Sequence, residues 1–80
     1  MEMTAEKKLA ERIKYYRELR GMTQKDLAER MSRNSARHCH WTTISRWEAG
    51  KGLFNITLKK FRLLCAELGV NASKMMKGIR

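Results

Sequence analysis

Proline is absent from this chain, cysteine occurs twice, and only eight of its 80 residues are acidic. Without proline nothing breaks a helix from within, and no proline-, glycine- or serine-rich stretch marks a linker. Cys39 and Cys65 are too few for a disulfide framework, so both are expected to be reduced thiols in a soluble, cytoplasmic protein. No apolar run approaches the ~18 residues of a membrane span, and Met1-Glu2-Met3-Thr4 followed by Glu6-Lys7-Lys8 lacks the apolar stretch of a signal peptide. A glycine-rich phosphate loop, a Gly-x-Ser-x-Gly elbow and a paired-carboxylate cleft are also missing, which speaks against an enzyme.

What is present is basic and apolar. Hydrophobic residues make up 42% of the chain and charged residues 32%, the mixture of a globular protein. A chain of this length buries only about 60–65% of the surface its unfolded form exposes, so one domain over residues 1–80 is expected. Eighteen Lys and Arg against eight Asp and Glu give a net charge of +10, which implies a polyanionic partner, nucleic acid before an anionic membrane surface. The charge is unevenly placed. Residues 1–29 carry seven basic and six acidic side chains, whereas Arg30 to Arg62 carry eight basic residues against Glu48 alone. An even mixture on the first segment argues against lipid, and the basic middle is the candidate contact surface.

Helical periodicity runs through the chain, and strand alternation does not. Ala5, Leu9, Ile13 and Tyr16 fall on one face of a helix from about Thr4 to Arg20, with Gly21 as a left-handed terminator. Thr23 and Asp26 form a capping box that opens a second helix with Leu27, Ala28 and Met31 inward. Ser32, Asn34 and Ser35 read as turn formers, and the stretch to His40 has no clear period. Trp41 to Ala49 reads as a third helix with Ile44 and Trp47 inward, ended by Gly50. Thr57 caps a fourth carrying Leu58, Phe61, Leu64, Cys65 and Leu68, and Asn71 or Ser73 caps a short fifth with Met75 and Met76. The expectation is an all-α domain of five helices.

Against this pattern, the run Ile13-Lys14-Tyr15-Tyr16-Arg17-Glu18-Leu19-Arg20-Gly21-Met22-Thr23-Gln24-Lys25-Asp26-Leu27-Ala28, with Thr43-Ile44-Ser45-Arg46-Trp47-Glu48-Ala49-Gly50-Lys51 after it, resembles the lambda-repressor-like helix-turn-helix of the XRE family. The likeness extends through Leu68-Gly69-Val70, and the motif itself occupies about residues 23–50. It implies a compact five-helix DNA-binding domain in which helix two crosses the DNA backbone and helix three enters the major groove. By that likeness Trp41, Thr42 and Arg46 read bases, Arg46 being suited to guanine through its planar fork. Gln24, Thr43, Ser45 and Lys51 contact the backbone, and Arg17 with Glu48 forms a partly buried scaffold pair. The partner implied is double-stranded DNA bound by a homodimer, with no cofactor. The role implied is repression in a prokaryote, its phage or a mobile element; eighty residues leave little room for an effector domain. An antitoxin that binds protein and autoregulates through the same fold is the alternative.

The chain also departs from the family. Leu27 to Ile44 is about six residues longer than the usual helix two to helix three spacing, and the tight turn lacks its glycine. Either Asn34 or Ser35 caps a lengthened third helix, which is preferred, or helix two is lengthened and a loop carries Arg37-His38-Cys39-His40. In both cases Arg37 and His38 are expected at the DNA backbone. A longer loop after helix three is expected to expose Leu53 and Phe54, which with Met75 and Met76 would form the dimer contact. Neighbouring His38, Cys39 and His40 project in different directions and read as solvated turn residues rather than a metal site.

Overall fold

The computed structural model describes residues 4–33 and 38–78, apart from the side chain of Phe54. Among these residues the chain forms α1 (Ala5–Leu19), α2 (Gln24–Arg33), α3 (Trp41–Glu48), a 3-10 turn (Leu53–Asn55), α4 (Leu58–Leu68) and α5 (Ala72–Met76), with no strand. The described residues thus form the five-helix, all-α arrangement expected from the sequence.

Helix starts are set by side chains that take up otherwise unpaired backbone N–H groups, each cap contributing about 1 kcal/mol. Thr4 Oγ1 accepts from the Lys7 N–H at 3.2 Å, and Thr57 Oγ1 from that of Lys60 at 3.1 Å. Asn71, rather than Ser73, caps α5, its Oδ1 lying 2.6 Å from the Lys74 nitrogen. The capping box of α2 is reciprocal: the Asp26 N–H donates to Thr23 Oγ1 at 3.0 Å, and the Thr23 N–H donates to Asp26 Oδ2 at 2.9 Å. Those bonds hold the Asp26 carboxyl below its ordinary value of 3.8, the Thr23 N–H contributing most.

One apolar cluster joins all five helices. Leu9, Ala10 and Ile13 of α1 meet Leu27, Ala28 and Met31 of α2, Ile44 and Trp47 of α3, and Phe61, Leu64, Cys65 and Leu68 of α4. Each large aliphatic side chain taken fully from water contributes about 1.5–3 kcal/mol. Ala28 is small and buried where α2 packs on α3. Polar ties orient the remainder: Arg12 Nη1 donates to the Met75 carbonyl at 2.8 Å, and the Leu53 N–H donates to Glu6 Oε2 at 2.8 Å. These draw α5 and the 3-10 turn onto α1.

Several sequence expectations are corrected here. Leu53 and Met75 are each 0% exposed; the backbone ties just described pull both inward, so neither is available for a dimer contact. Met76 is 37% exposed, and the Phe54 side chain lies outside the described residues. Leu58, grouped by helical spacing with Phe61, Leu64, Cys65 and Leu68, is 64% exposed because it stands at the first position of α4, where the inward face begins with Phe61. Ser32 belongs to α2 rather than to a turn. Met22 and Val70, which had no place in the helical pattern, are buried at the helix ends.

Candidate nucleic-acid interface

α3 starts at Trp41, so the third helix is not lengthened back to Asn34 or Ser35, the reading preferred from the sequence. Two contacts fix that start. Ser32 Oγ accepts from the Cys39 N–H at 2.8 Å, and its own hydrogen lies within reach of the Ala28 carbonyl at 2.8 Å and the Cys39 carbonyl at 3.1 Å. The Cys39 side chain is buried in the core rather than solvated, and burial raises its thiol pKa. With residue 39 anchored inward, His40 becomes the N-cap: its Nδ1 accepts from the Thr42 N–H at 3.2 Å. Asn34, Ser35 and Arg37 lie outside the described residues.

The end of α3 is set by Gly50, whose φ of 78° is the left-handed conformation that β-carbon-bearing residues avoid. There the Gly50 N–H returns to the Trp47 carbonyl at 3.0 Å and the Lys51 N–H to that of Arg46 at 2.9 Å. This closure turns Lys51 outward, where it is exposed.

Between these limits α3 is two-faced. Ile44 and Trp47 are buried, Trp41, Thr42 and Arg46 are exposed, and Thr43 and Ser45 are half-buried along the margins. The three side chains assigned to base reading therefore share the outer side of one short helix. Trp41 is 39% exposed. Its ring lies 5.9 Å from that of His40 at 31°, and Lys25 Nζ of α2 stands 6.0 Å from the indole centroid. His38 is exposed, its ring 6.2 Å from that of His40.

Behind this face lies the Arg17–Glu48 pair. Arg17 Nε and Nη2 donate to Glu48 Oε2 and Oε1 at 2.6 and 2.9 Å, and Nη1 donates to the Met22 carbonyl at 2.7 Å. The side chains are 10% and 6% exposed. The hydrogen bond to Glu48 raises the Arg17 pKa above its already high ordinary value, so the guanidinium stays charged. Gln24, half-buried at the start of α2, donates from Nε2 to Glu48 Oε1 at 3.2 Å. This second partner of Glu48 was not foreseen, although a Gln at the start of α2 and a Glu at the end of α3 are both visible in the sequence. The one acid among the eight basic residues of Arg30 to Arg62 is thus buried and compensated from α1 and α2.

Two directly packed helices, α2 and α3, the second with an exposed outer face, form the bihelical unit of a helix-turn-helix DNA-binding domain. A helix-turn-helix family model matches residues 13–75, and the chain belongs to this family, the Cro/C1-type regulators of the XRE class. It is accordingly a DNA-binding regulator of the XRE type, a family generally without enzymes. No curated protein and no solved structure matches the chain. Among the described residues no helix is long and apolar enough to cross a membrane, and among them no group of three or more His, Cys, Asp or Glu is placed to hold a metal ion.

Proposed function

We propose that this chain is a sequence-specific repressor that binds a pseudo-palindromic operator as a homodimer and acts by occupying a promoter. The observation that carries this reading is the outer face of α3, where Trp41, Thr42 and Arg46 are exposed while Ile44 and Trp47 anchor the helix from behind. Arg46 bonds guanine O6 and N7, Thr42 reads an adjacent base, and Trp41 supplies an apolar edge. Gln24, Thr43, Ser45 and Lys51 hold phosphates, joined by Arg37 and His38 from the connection. Gln24 has a second amide hydrogen for this purpose, since its Nε2 spends one on Glu48.

A two-fold dimer places the two copies of α3 one turn of B-DNA apart, about 34 Å. Its apolar contact centres on Met76 and Leu58, exposed on neighbouring elements. Footprinting on DNA upstream of the protein's own gene tests the whole reading. A protected pseudo-palindrome overlapping a promoter, with repression of a reporter in cells, is expected; equal affinity for that segment and random duplex would defeat it.

A further inference from the structure

Histidine is an uncommon helix cap, and in this chain it caps the helix assigned to reading DNA. His40 precedes α3 with extended backbone, φ −82° and ψ 146°, and its Nδ1 accepts from the Thr42 N–H at 3.2 Å. A backbone N–H only donates, so Nδ1 must offer a lone pair and the ring proton must reside on Nε2. The same Nδ1 lies 2.8 Å from Thr42 Oγ1. Because Nδ1 carries no proton, the hydroxyl is the donor in that contact. Thr42 Oγ1 therefore shows only lone pairs to the outside, where the side chain is exposed.

We propose that His40 is a positioning residue for base selection, setting through the direction of its hydrogen bond whether the Thr42 hydroxyl accepts from or donates to the base it faces. This rests on the operator-binding reading above. With His40 neutral, Thr42 is an acceptor and selects an amino group in the major groove, adenine N6 or cytosine N4. With His40 protonated, Nδ1–H points at Oγ1 and occupies one of its lone pairs, the hydroxyl hydrogen swings outward, and Thr42 gains a donor for guanine O6 or N7 or thymine O4 while keeping a single lone pair. Protonation also removes the acceptor for the Thr42 N–H and places a positive charge at the positive end of the α3 dipole.

Among the described residues, the groups that face His40 are few. His38 lies 6.2 Å away ring to ring in the same connection, and the Cys39 thiol lies 4.0 Å from the His40 carbonyl oxygen. From α2, Lys25, Glu29 and Arg33 border the same surface cleft, with Glu29 and Arg33 paired at 2.8 Å. From α4, Lys60 lies close enough to influence the Cys39 thiol. Trp41 neighbours both Lys25 and the His40 ring, its indole lying 6.0 Å from Lys25 Nζ and 5.9 Å from the imidazole.

The test uses the full chain and a random-sequence duplex library, selected at about pH 8 and about pH 5, the span in which histidines change charge. The base pair under Thr42 is the one at which Thr42→Ala relaxes selection. A charge gained beside DNA raises affinity for every duplex alike, so the quantity read is the ratio between bases there. The expected result is an approximately fivefold shift of that ratio, one hydrogen bond's worth, from adenine or cytosine towards guanine or thymine on going to acid. His40→Ser retains an uncharged cap and leaves His38 in place, and its ratio should not move with pH. Without DNA, the ring nitrogen resonances of His40 should show the proton on Nε2 at the higher pH, and the Thr42 amide resonance should differ between the two pH values. A proton on Nδ1 at the higher pH, a flat ratio in the wild type, or an equal shift in His40→Ser overturns the proposal while operator binding stands. Failure to enrich any duplex at either pH overturns the operator reading and this proposal with it.

Discussion

Arg46 and Lys51 are five residues apart, both exposed, and separated by the backbone reversal at Gly50. The proposed function assigns them different partners. Arg46→Ala should remove about 1–3 kcal/mol of discrimination at one base pair and leave non-specific affinity nearly intact. Lys51→Ala should weaken binding to all duplexes alike and reduce the salt slope by roughly one. Titrations on specific and random duplexes across a salt series separate the two, and equal losses on both duplexes for Arg46→Ala would place it on the backbone. Arg17 works differently, being held by Glu48 and the Met22 carbonyl. Arg17→Met strands the Glu48 carboxylate in a site where it is 6% exposed, and should cost about 3–5 kcal/mol in urea unfolding. Adding Glu48→Leu should restore much of that loss, because an apolar pair needs no compensation.

α2 is the element whose two ends are held by unlike devices. At its start the capping box depresses the Asp26 carboxyl. A folded-state pKa below the unfolded one contributes stability that is present above 3.8 and lost as pH falls through the folded value. Urea midpoints taken from pH 6 downward should therefore fall more for the wild type than for Asp26→Asn in the acid range; parallel curves would show that the box does not titrate. At its other end Ser32 closes on Cys39. Ser32→Ala leaves the Cys39 N–H without this acceptor and should cost about 1–3 kcal/mol. Amide exchange should then quicken at Cys39 and in the first turn of α3, because the same contact sets where that helix begins.

At the scale of the whole molecule, the apolar residues near α5 divide into two groups that composition alone does not distinguish. Leu53 and Met75 complete the core, so truncating either to Ala should lower stability by about 2–5 kcal/mol in denaturant unfolding. Leu58 and Met76 face outward, so Leu58→Glu and Met76→Glu should change stability by no more than about 0.5 kcal/mol. Sedimentation should show weakened self-association for these two variants. A monomeric wild type, free at high concentration and on its operator, would remove the dimer from the proposed function.

The five helices were legible because their information is local. A hydroxyl or amide at Thr4, Thr23, Thr57 and Asn71 starts a helix, glycine at Gly21, Gly50 and Gly69 ends one, and periodicity names the inward faces of α1, α3 and most of α4. The exposed face of α3 followed from the same short-range order, since Trp41, Thr42 and Arg46 stay outside where Ile44 and Trp47 point inward, whereas its assignment to base reading came from the family likeness and belongs to the proposed function. What local order did not contain was the path between α2 and α3, where no period exists. A contact spanning seven residues, Ser32 to Cys39, decides it and turns an expected solvent-exposed cysteine into core. The fates of Leu53 and Met75 depended likewise on partners 47 and 63 positions along the chain, Glu6 for the Leu53 N–H and Arg12 for the Met75 carbonyl. Sequence spacing determines which residues share a helix face; which face meets another element is a property of chain closure, and only the packed structure decides it.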